Sequence, residues 1–179
     1  STNTQRYRSA VQAMDSEIGR LLNHLGSAID NTVVVFVGDN GTPRQVIEAP
    51  HTTSKGSVYQ GGVHVPMIIS APFVSSPGRE ETSPVHVADL FSTILAITEI
   101  DVDAVIPDVI IDGVSLLEML KAPGASVARE TIYTEIVDAD PIDGRYAIRD
   151  ERYKLLELGG EIELYDLSSD SLETNELIA

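Results

Sequence analysis

No cysteine occurs anywhere in this sequence. That excludes a disulfide framework, a zinc–thiolate site and a cysteine nucleophile within these residues, and it leaves the cellular compartment open. Also lacking is any apolar run near the ~18 residues that a membrane-spanning helix needs, and no charged-then-apolar leader opens the chain. Basic residues are scarce, with 12 Lys and Arg against 28 Asp and Glu, for a net charge of −16. A surface so negative repels phosphate backbones and anionic lipid heads, and neither nucleic acid nor a membrane is an expected partner. The deficit is lopsided: residues 1–98 hold 8 acidic and 6 basic side chains, residues 99–179 hold 20 and 6. The charge reads as a solvated acidic face. The cations of chemical interest lie in the nearly neutral first half.

What is present points to one globular domain, or one domain and a small appendage, since 179 residues are 42% hydrophobic. A compact fold of that length hides roughly 70% of its unfolded surface and needs no staples. Tyr7, Val11, Met14, Ile18, Leu21, Leu22 and Leu25 step by three and four, which predicts a helix stopped by Gly26. Residues 32–37 form a β-branched run without alternation, as suits a strand covered on both faces in a parallel sheet. A second such strand is predicted over 65–70, followed by a loop punctuated by Pro72, Pro77, Gly78 and Pro84. Helical spacing returns from Val87 through Leu90, Phe91, Ile94 and Leu95 to Thr98, then 99–112 is acidic and irregular, and 115–121 is a short helix. A break is expected at Ala122-Pro123-Gly124-Ala125. Beyond it the period becomes that of strands, over 131–137, 146–150, 153–158 and 161–165, with turns at Asp143-Gly144 and Gly159-Gly160. The expected organisation is therefore an α/β part over 1–122 and a small antiparallel part over 123–179.

Two elements carry chemistry. Asp39-Asn40-Gly41 directly follows the valine-rich strand, and ligands of open α/β sheets collect beyond the carboxyl ends of strands. A carboxylate beside an amide carbonyl is a hard oxygen donor pair, suited to calcium or magnesium. The same three residues also make tight turns in any protein. A simple hairpin is disfavoured, because the next strand begins more than twenty residues later. The second element is Lys55, within Ser54-Lys55-Gly56-Ser57-Val58-Tyr59-Gln60-Gly61-Gly62. It offers a compact charge for a tetrahedral anion, flanked by glycines that permit close backbone approach, although a loop lysine is ordinarily a solvated surface residue.

The order and spacing of these pieces resemble the C-terminal part of the sulfatases, in the alkaline-phosphatase superfamily. The matching stretches are Tyr7-Arg8-Ser9 with Met14-Asp15, Asn31-Thr32-Val33-Val34-Val35-Phe36, Gly38-Asp39-Asn40-Gly41, and Lys55 with Tyr59-Gln60-Gly61-Gly62-Val63-His64-Val65-Pro66. Further on stand Val87-Ala88-Asp89-Leu90-Phe91-Ser92-Thr93, Asp112-Gly113-Val114-Ser115-Leu116, Tyr153-Lys154-Leu155, Glu163-Leu164-Tyr165-Asp166-Leu167, and Asp170 with Glu173-Thr174-Asn175. The resemblance implies part of an alkaline-phosphatase-like α/β sandwich with mostly parallel strands, followed by a small antiparallel sheet with a helix. It implies that Asp39 and Asn40 are two ligands of a calcium ion and that Lys55 contacts the sulfate group of a sulfated small molecule or glycan. His51, four residues before Lys55, is a candidate to line the anion pocket or protonate a leaving oxygen.

The family's nucleophile, a formylglycine made within a Cys/Ser-x-Pro-x-Arg motif, belongs far upstream of Asp-Asn-Gly. The chain alone is accordingly expected to be inactive, to lack the N-terminal sulfatase region as its partner, and to self-associate through the face that region would cover. Ser75-Ser76-Pro77-Gly78-Arg79 fits that motif literally but falls on the wrong side of Asp39. Asn40-Gly41-Thr42 is a glycosylation sequon, discounted because a sugar would block the proposed ligand. His24 and His86 read as surface or capping residues, and His64 stands where the family usually has arginine. Export, whether periplasmic, secreted or lysosomal, is expected by family analogy alone. Two rivals remain: a phosphatase, phosphodiesterase or phosphonate hydrolase of the same superfamily, and a degenerate module without catalysis.

Overall fold

Thr2 starts the first helix. Its hydroxyl accepts from the Gln5 N–H at 3.2 Å and the Gln5 side chain accepts from the Thr2 N–H at 2.9 Å, a reciprocal cap that satisfies two otherwise orphan donors. Helix α1 (Asn3–Leu25) thus begins one turn before its apolar stripe and ends at Gly26, whose φ is 53°. A 3-10 turn leads into β1 (Val34–Val37). The short α2 (Gln60–Val63) and then β2 (Met67–Ser70) follow a long excursion. Next come α3 (Asp89–Ile97), α4 (Val102–Val105) and α5 (Leu117–Lys121). Four strands complete the chain: β3 (Ile132–Ile136), β4 (Arg145–Arg149), β5 (Tyr153–Leu158) and β6 (Glu161–Asp166). The structure, a computed structural model, describes residues 2–125, 127–137 and 144–178. The Asp143 half of the expected Asp143-Gly144 turn lies outside them.

The architecture is α/β, as the sequence predicts, with three local differences. The two described strands of the first part run antiparallel, Val34 opposite Ser70 and Val37 opposite Met67, where mostly parallel strands were expected. A run of apolar residues reports how much a strand is covered; the connection decides its direction. Within the irregular 99–112 stretch, Asp101 accepts from the Asp103 N–H at 3.1 Å and starts the one-turn α4. Finally, the C-terminal sheet is the expected antiparallel meander, in the order β3-β4-β5-β6, but among the described residues no helix follows α5. Short polar side chains there bind their own backbone instead: Asp170 accepts from the N–H groups of Thr174 and Asn175, each at 2.7 Å.

Buried side chains gather in two clusters. Leu116, Met119 and Leu120 pack beneath Met67, Ile69 and Phe73, which seats α5 on the inner face of β2. Val58, Ala147, Leu156 and Tyr165 form the other cluster, which pins the loop before α2 to the meander. The motif around α3 is fastened to the one at 112–116: Val114 N–H donates to Asp89 at 2.9 Å, Leu116 N–H to Thr93 Oγ1 at 2.9 Å, and Ser92 Oγ to Gly113 O at 2.7 Å. Asp89 is fully buried and pairs with Arg129. Elsewhere the chain is open. It exposes 12069 Å², where a compact protein of 19.3 kDa exposes about 8,500 Å². Large apolar side chains stand exposed, among them Leu21 (59% exposed) on α1, Ile68 (61%) on β2, and Phe91 and Ile94 on α3. The self-sufficient core expected from length alone is therefore not realised. Among the described residues no helix is long and apolar enough to cross a membrane.

Candidate functional site

At the carboxyl end of β1 the backbone is held by three crossings. Gly38 N–H donates to Pro66 O and Gly41 N–H to Gly62 O, both at 2.9 Å, and Lys55 N–H donates to Thr42 O at 3.0 Å. Three passes of the chain, around residues 38–42, 53–57 and 60–64, thus lie against one another. They approach so closely that only glycine fits at the contacts. A Cβ on Gly41 would fall inside the carbonyl oxygen of Gly61, and one on Gly62 inside the carbonyl oxygen of Ser57. Thr53 Oγ1 takes up the N–H of Gly61 at 3.1 Å.

This packing presents Asp39 and Asn40 side by side, with Asn40 Nδ2 donating to Asp39 Oδ1. Asn40 Oδ1 is buried and has no hydrogen-bond partner. A buried amide oxygen left without a donor is costly, and an oxygen lone pair beside a carboxylate is what a hard cation takes up. The residues therefore fit a calcium or magnesium ion, which takes about 6–8 oxygens in the calcium case, two side chains of which would come from here. No cluster of three or more His, Asp or Glu suited to a metal occurs among the described residues.

A cleft of about 690 Å³ opens beside Asn40, walled by Tyr7 and Arg8 of α1, by Glu48 to Thr53, by Gln60, Gly61 and His64, and by Ser171 and Leu172. Arg8 grips Glu48 with two bonds, 3.0 and 2.8 Å, which ties α1 to the opposite wall. Of the sequence-predicted residues, Asn40 and His51 line this cleft. Asp39 touches Asn40 but is itself exposed, and Lys55 is joined to the site through its backbone while its side chain reaches solvent. His64 is exposed on the cleft wall; His86 lies just before α3, its Nδ1 accepting from Ala88 N–H at 3.1 Å. The Ser75–Arg79 lookalike lies elsewhere, in a second cavity of about 590 Å³ against α5, where Arg79 donates to the backbone oxygens of Ser75 and Met119.

Beneath the cleft sits a network that sequence reading does not foresee as one unit. Lys154 Nζ donates to Glu173 Oε1 at 2.6 Å, and the two side chains are almost completely buried. Burial pushes the Lys154 ammonium below its usual range, against the attraction of Glu173. Glu173 Oε2 accepts the Gln60 N–H at 2.6 Å, and Gln60 Oε1 accepts from Lys154 at 3.4 Å. Alongside, the hydroxyls of Tyr59 and Tyr165 both donate to Glu163, at 2.6 and 2.8 Å, with their rings edge to face at 6.3 Å. Burial, and then that carboxylate, push both phenols well above their ordinary range. The only signal in the sequence is that Tyr59-Gln60, Lys154, Glu163 and Glu173 all fall within the family-like stretches.

The chain as a whole is similar to known proteins. The sulfatase family model matches residues 2–100, and a model of the C-terminal part of N-sulphoglucosamine sulphohydrolase matches residues 52–179. A sulfatase of Formosa agariphila is 29% identical over 97% of this chain and 35% of its own length; arylsulfatase K of Xenopus laevis is 29% identical over 91% and 32%. The chain thus spans about a third of the length of the curated relatives it matches. Among solved structures, the fold superposes on that of Ps i-CgsB in complex with k-i-k-neocarrahexaose with a TM-score of 0.85, at 24% identity, over 99% of this chain and 39% of that one. A protein solved with its substrate D-glucosamine-2-N,6-O-disulfate gives 0.72 at 27% identity, over 93% and 34%. A phosphonate monoester hydrolase of Agrobacterium radiobacter gives 0.70 at 25%, over 90% and 34%. The matched stretches extend from the first helix to the end of the meander, and on that ground this chain belongs to the sulfatase family.

Proposed function

We propose that this chain is the C-terminal third of a hydrolase of sulfate esters and supplies part of its active centre. Asp39 and Asn40 would hold a calcium ion, which when bound polarises the ester oxygens and offsets negative charge that develops on them. Lys55 extends from the loop hydrogen-bonded to Thr42 and supplies a point charge for the sulfate oxygens. His51, which lines the cleft, would give a proton to a leaving oxygen. The observation that carries the reading is the orphaned, buried Asn40 Oδ1 beside a carboxylate at the end of β1. A sulfated small molecule or glycan is the substrate class favoured, because relatives that span nearly the whole chain are sulfatases. A phosphonate or phosphate ester is the second reading, favoured by the likeness to a phosphonate monoester hydrolase.

The remainder of a sulfatase core is the occupant we infer for the exposed apolar faces of α1, β2 and α3. The 3,500 Å² or so of surplus surface and the coverage of about a third of each relative support that. The full-length protein should release sulfate from an aryl sulfate faster than phosphate from the matching aryl phosphate, and the purified 179-residue chain should release neither. Preference for the phosphate would establish the second reading. Activity unchanged by Asp39→Ala and Asn40→Ala would remove the first.

A further inference from the structure

We propose that the buried Lys154–Glu173 pair is a positioning device for the Asn40 loop, acting through Gln60; this deepens the calcium-site reading above and rests on it. The pair is an expensive way to fill a core. Replacing a buried ion pair by apolar side chains of similar volume is often neutral or stabilising, so such a pair is weak evidence of a stability role. What it does here is local. Lys154 and Glu173 grip Gln60 at two points, the side-chain oxygen at 3.4 Å and the backbone N–H at 2.6 Å. The next two residues are the crossing itself: Gly61 is tied to Thr53, and Gly62 O receives the N–H of Gly41. From Lys154 on β5 to Asn40 the path is therefore a closed ring of three polar groups, one glycine crossing and one peptide unit.

Glu173 adds a second sign. Its φ is 56°, the left-handed region that a side chain other than glycine rarely adopts. Residues held there are strained and persist where surrounding contacts over-determine them. The contacts here are its salt bridge and its bond to Gln60, together with the Glu173 N–H donated to Asp170 O at 3.2 Å. Neither Lys154 nor Glu173 touches the cleft. They are positioning residues whose effect on ligands passes through Gln60.

Calcium alone is the probe, titrated calorimetrically into the full-length protein, with amide hydrogen exchange at Gly41 followed in parallel. Gln60→Ala removes the side-chain half of the clamp without exposing a buried charge, and Lys154→Met/Glu173→Met removes both charges together with the acceptor of the Gln60 N–H. Either variant should speed Gly41 exchange and weaken calcium binding about tenfold, the size typical when a partner behind a metal ligand is removed, while the β4 and β5 amides stay protected. Asn40→Ala should abolish calcium binding and leave Gly41 exchange as it was. If the clamp variants bind calcium as the parent does while Asn40→Ala does not, the positioning role is overturned and the calcium site stands. Weaker calcium binding with unchanged Gly41 exchange overturns it as well. If the parent chain takes up no calcium, the calcium reading fails, and Gly41 exchange alone decides: acceleration upholds the clamp, no change overturns it. Should the double variant lose β5 protection, the outcome with Gln60→Ala decides between the two.

Discussion

The two sheets of this molecule solve the same problem differently. In the C-terminal meander each strand pairs with its neighbour in sequence, and Ala147, Lys154, Leu156 and Tyr165 are buried. In the β1–β2 pair the partners are separated by a long excursion, and neither strand, nor the 23-residue α1, has a single fully buried side chain. A two-stranded ribbon is marginal in water unless something covers a face of it. Folding contacts and chemistry are thus partly segregated. The candidate ligands hang from the open, under-covered sheet, and the buried polar groups that steady them belong to the closed one.

That contrast can be broken at its strongest point first. Lys154→Met leaves Glu173 buried without its cation and should cost about 3–5 kcal/mol in urea unfolding. Arg8→Met, which breaks an ion pair whose side chains are 70% and 56% exposed, should cost no more than about 1 kcal/mol. Equal costs would mean that the two halves are not distinguished by burial at all. A smaller effect is expected on the open half. Leu21→Ser/Ile68→Ser should reduce self-association in sedimentation while leaving the unfolding free energy within about 0.5 kcal/mol; a parent chain that sediments as a monomer at all concentrations would refute it.

Acid sharpens the comparison least but touches both halves. The bonds from Arg152, and next that from Ser168, hold the Asp166 carboxyl at about 2, below its ordinary 3.8. Asp89 is also lowered: burial raises it, but the Arg129 bond and the N–H groups of Val114 and His86 outweigh that. In each case the unfolded chain binds the proton more tightly than the folded one. The stability these carboxylates contribute is therefore complete above the ordinary carboxylate range and is lost as pH falls through the folded value. Urea midpoints should drop between about pH 5 and about pH 2, and Asp166→Asn should flatten part of that slope.

Much of this is legible in the sequence, for reasons that differ by residue. The stripe from Tyr7 to Leu25 and the glycine after it locate α1 because helix period and stop are local properties; the Thr2–Gln5 cap extends the helix one turn beyond the stripe. Strands β3 to β6 fall within a residue or two of their period-two runs. Asp39-Asn40 stands out because carboxylate and amide follow a strand end. What is not legible has a common cause. Strand direction in the β1–β2 pair depends on a path rather than a pattern, and the helix expected beside the meander gives way to Asp170 capping its own turn. The Lys154–Glu173–Gln60 ring joins residues 19, 94 and 113 positions apart. Nothing in local spacing announces such a meeting.

The bond between Thr42 and Lys55 closes the base of the loop that carries Arg44, Glu48 and His51. A loop stapled at its base can be rewritten: each doubling of its length costs only about 0.6 kcal/mol in closure entropy, and its two ends stay where they are. Residues could accordingly be added between those two positions while the glycine crossings on either side keep their registration, which makes this stretch the place for an engineer to begin.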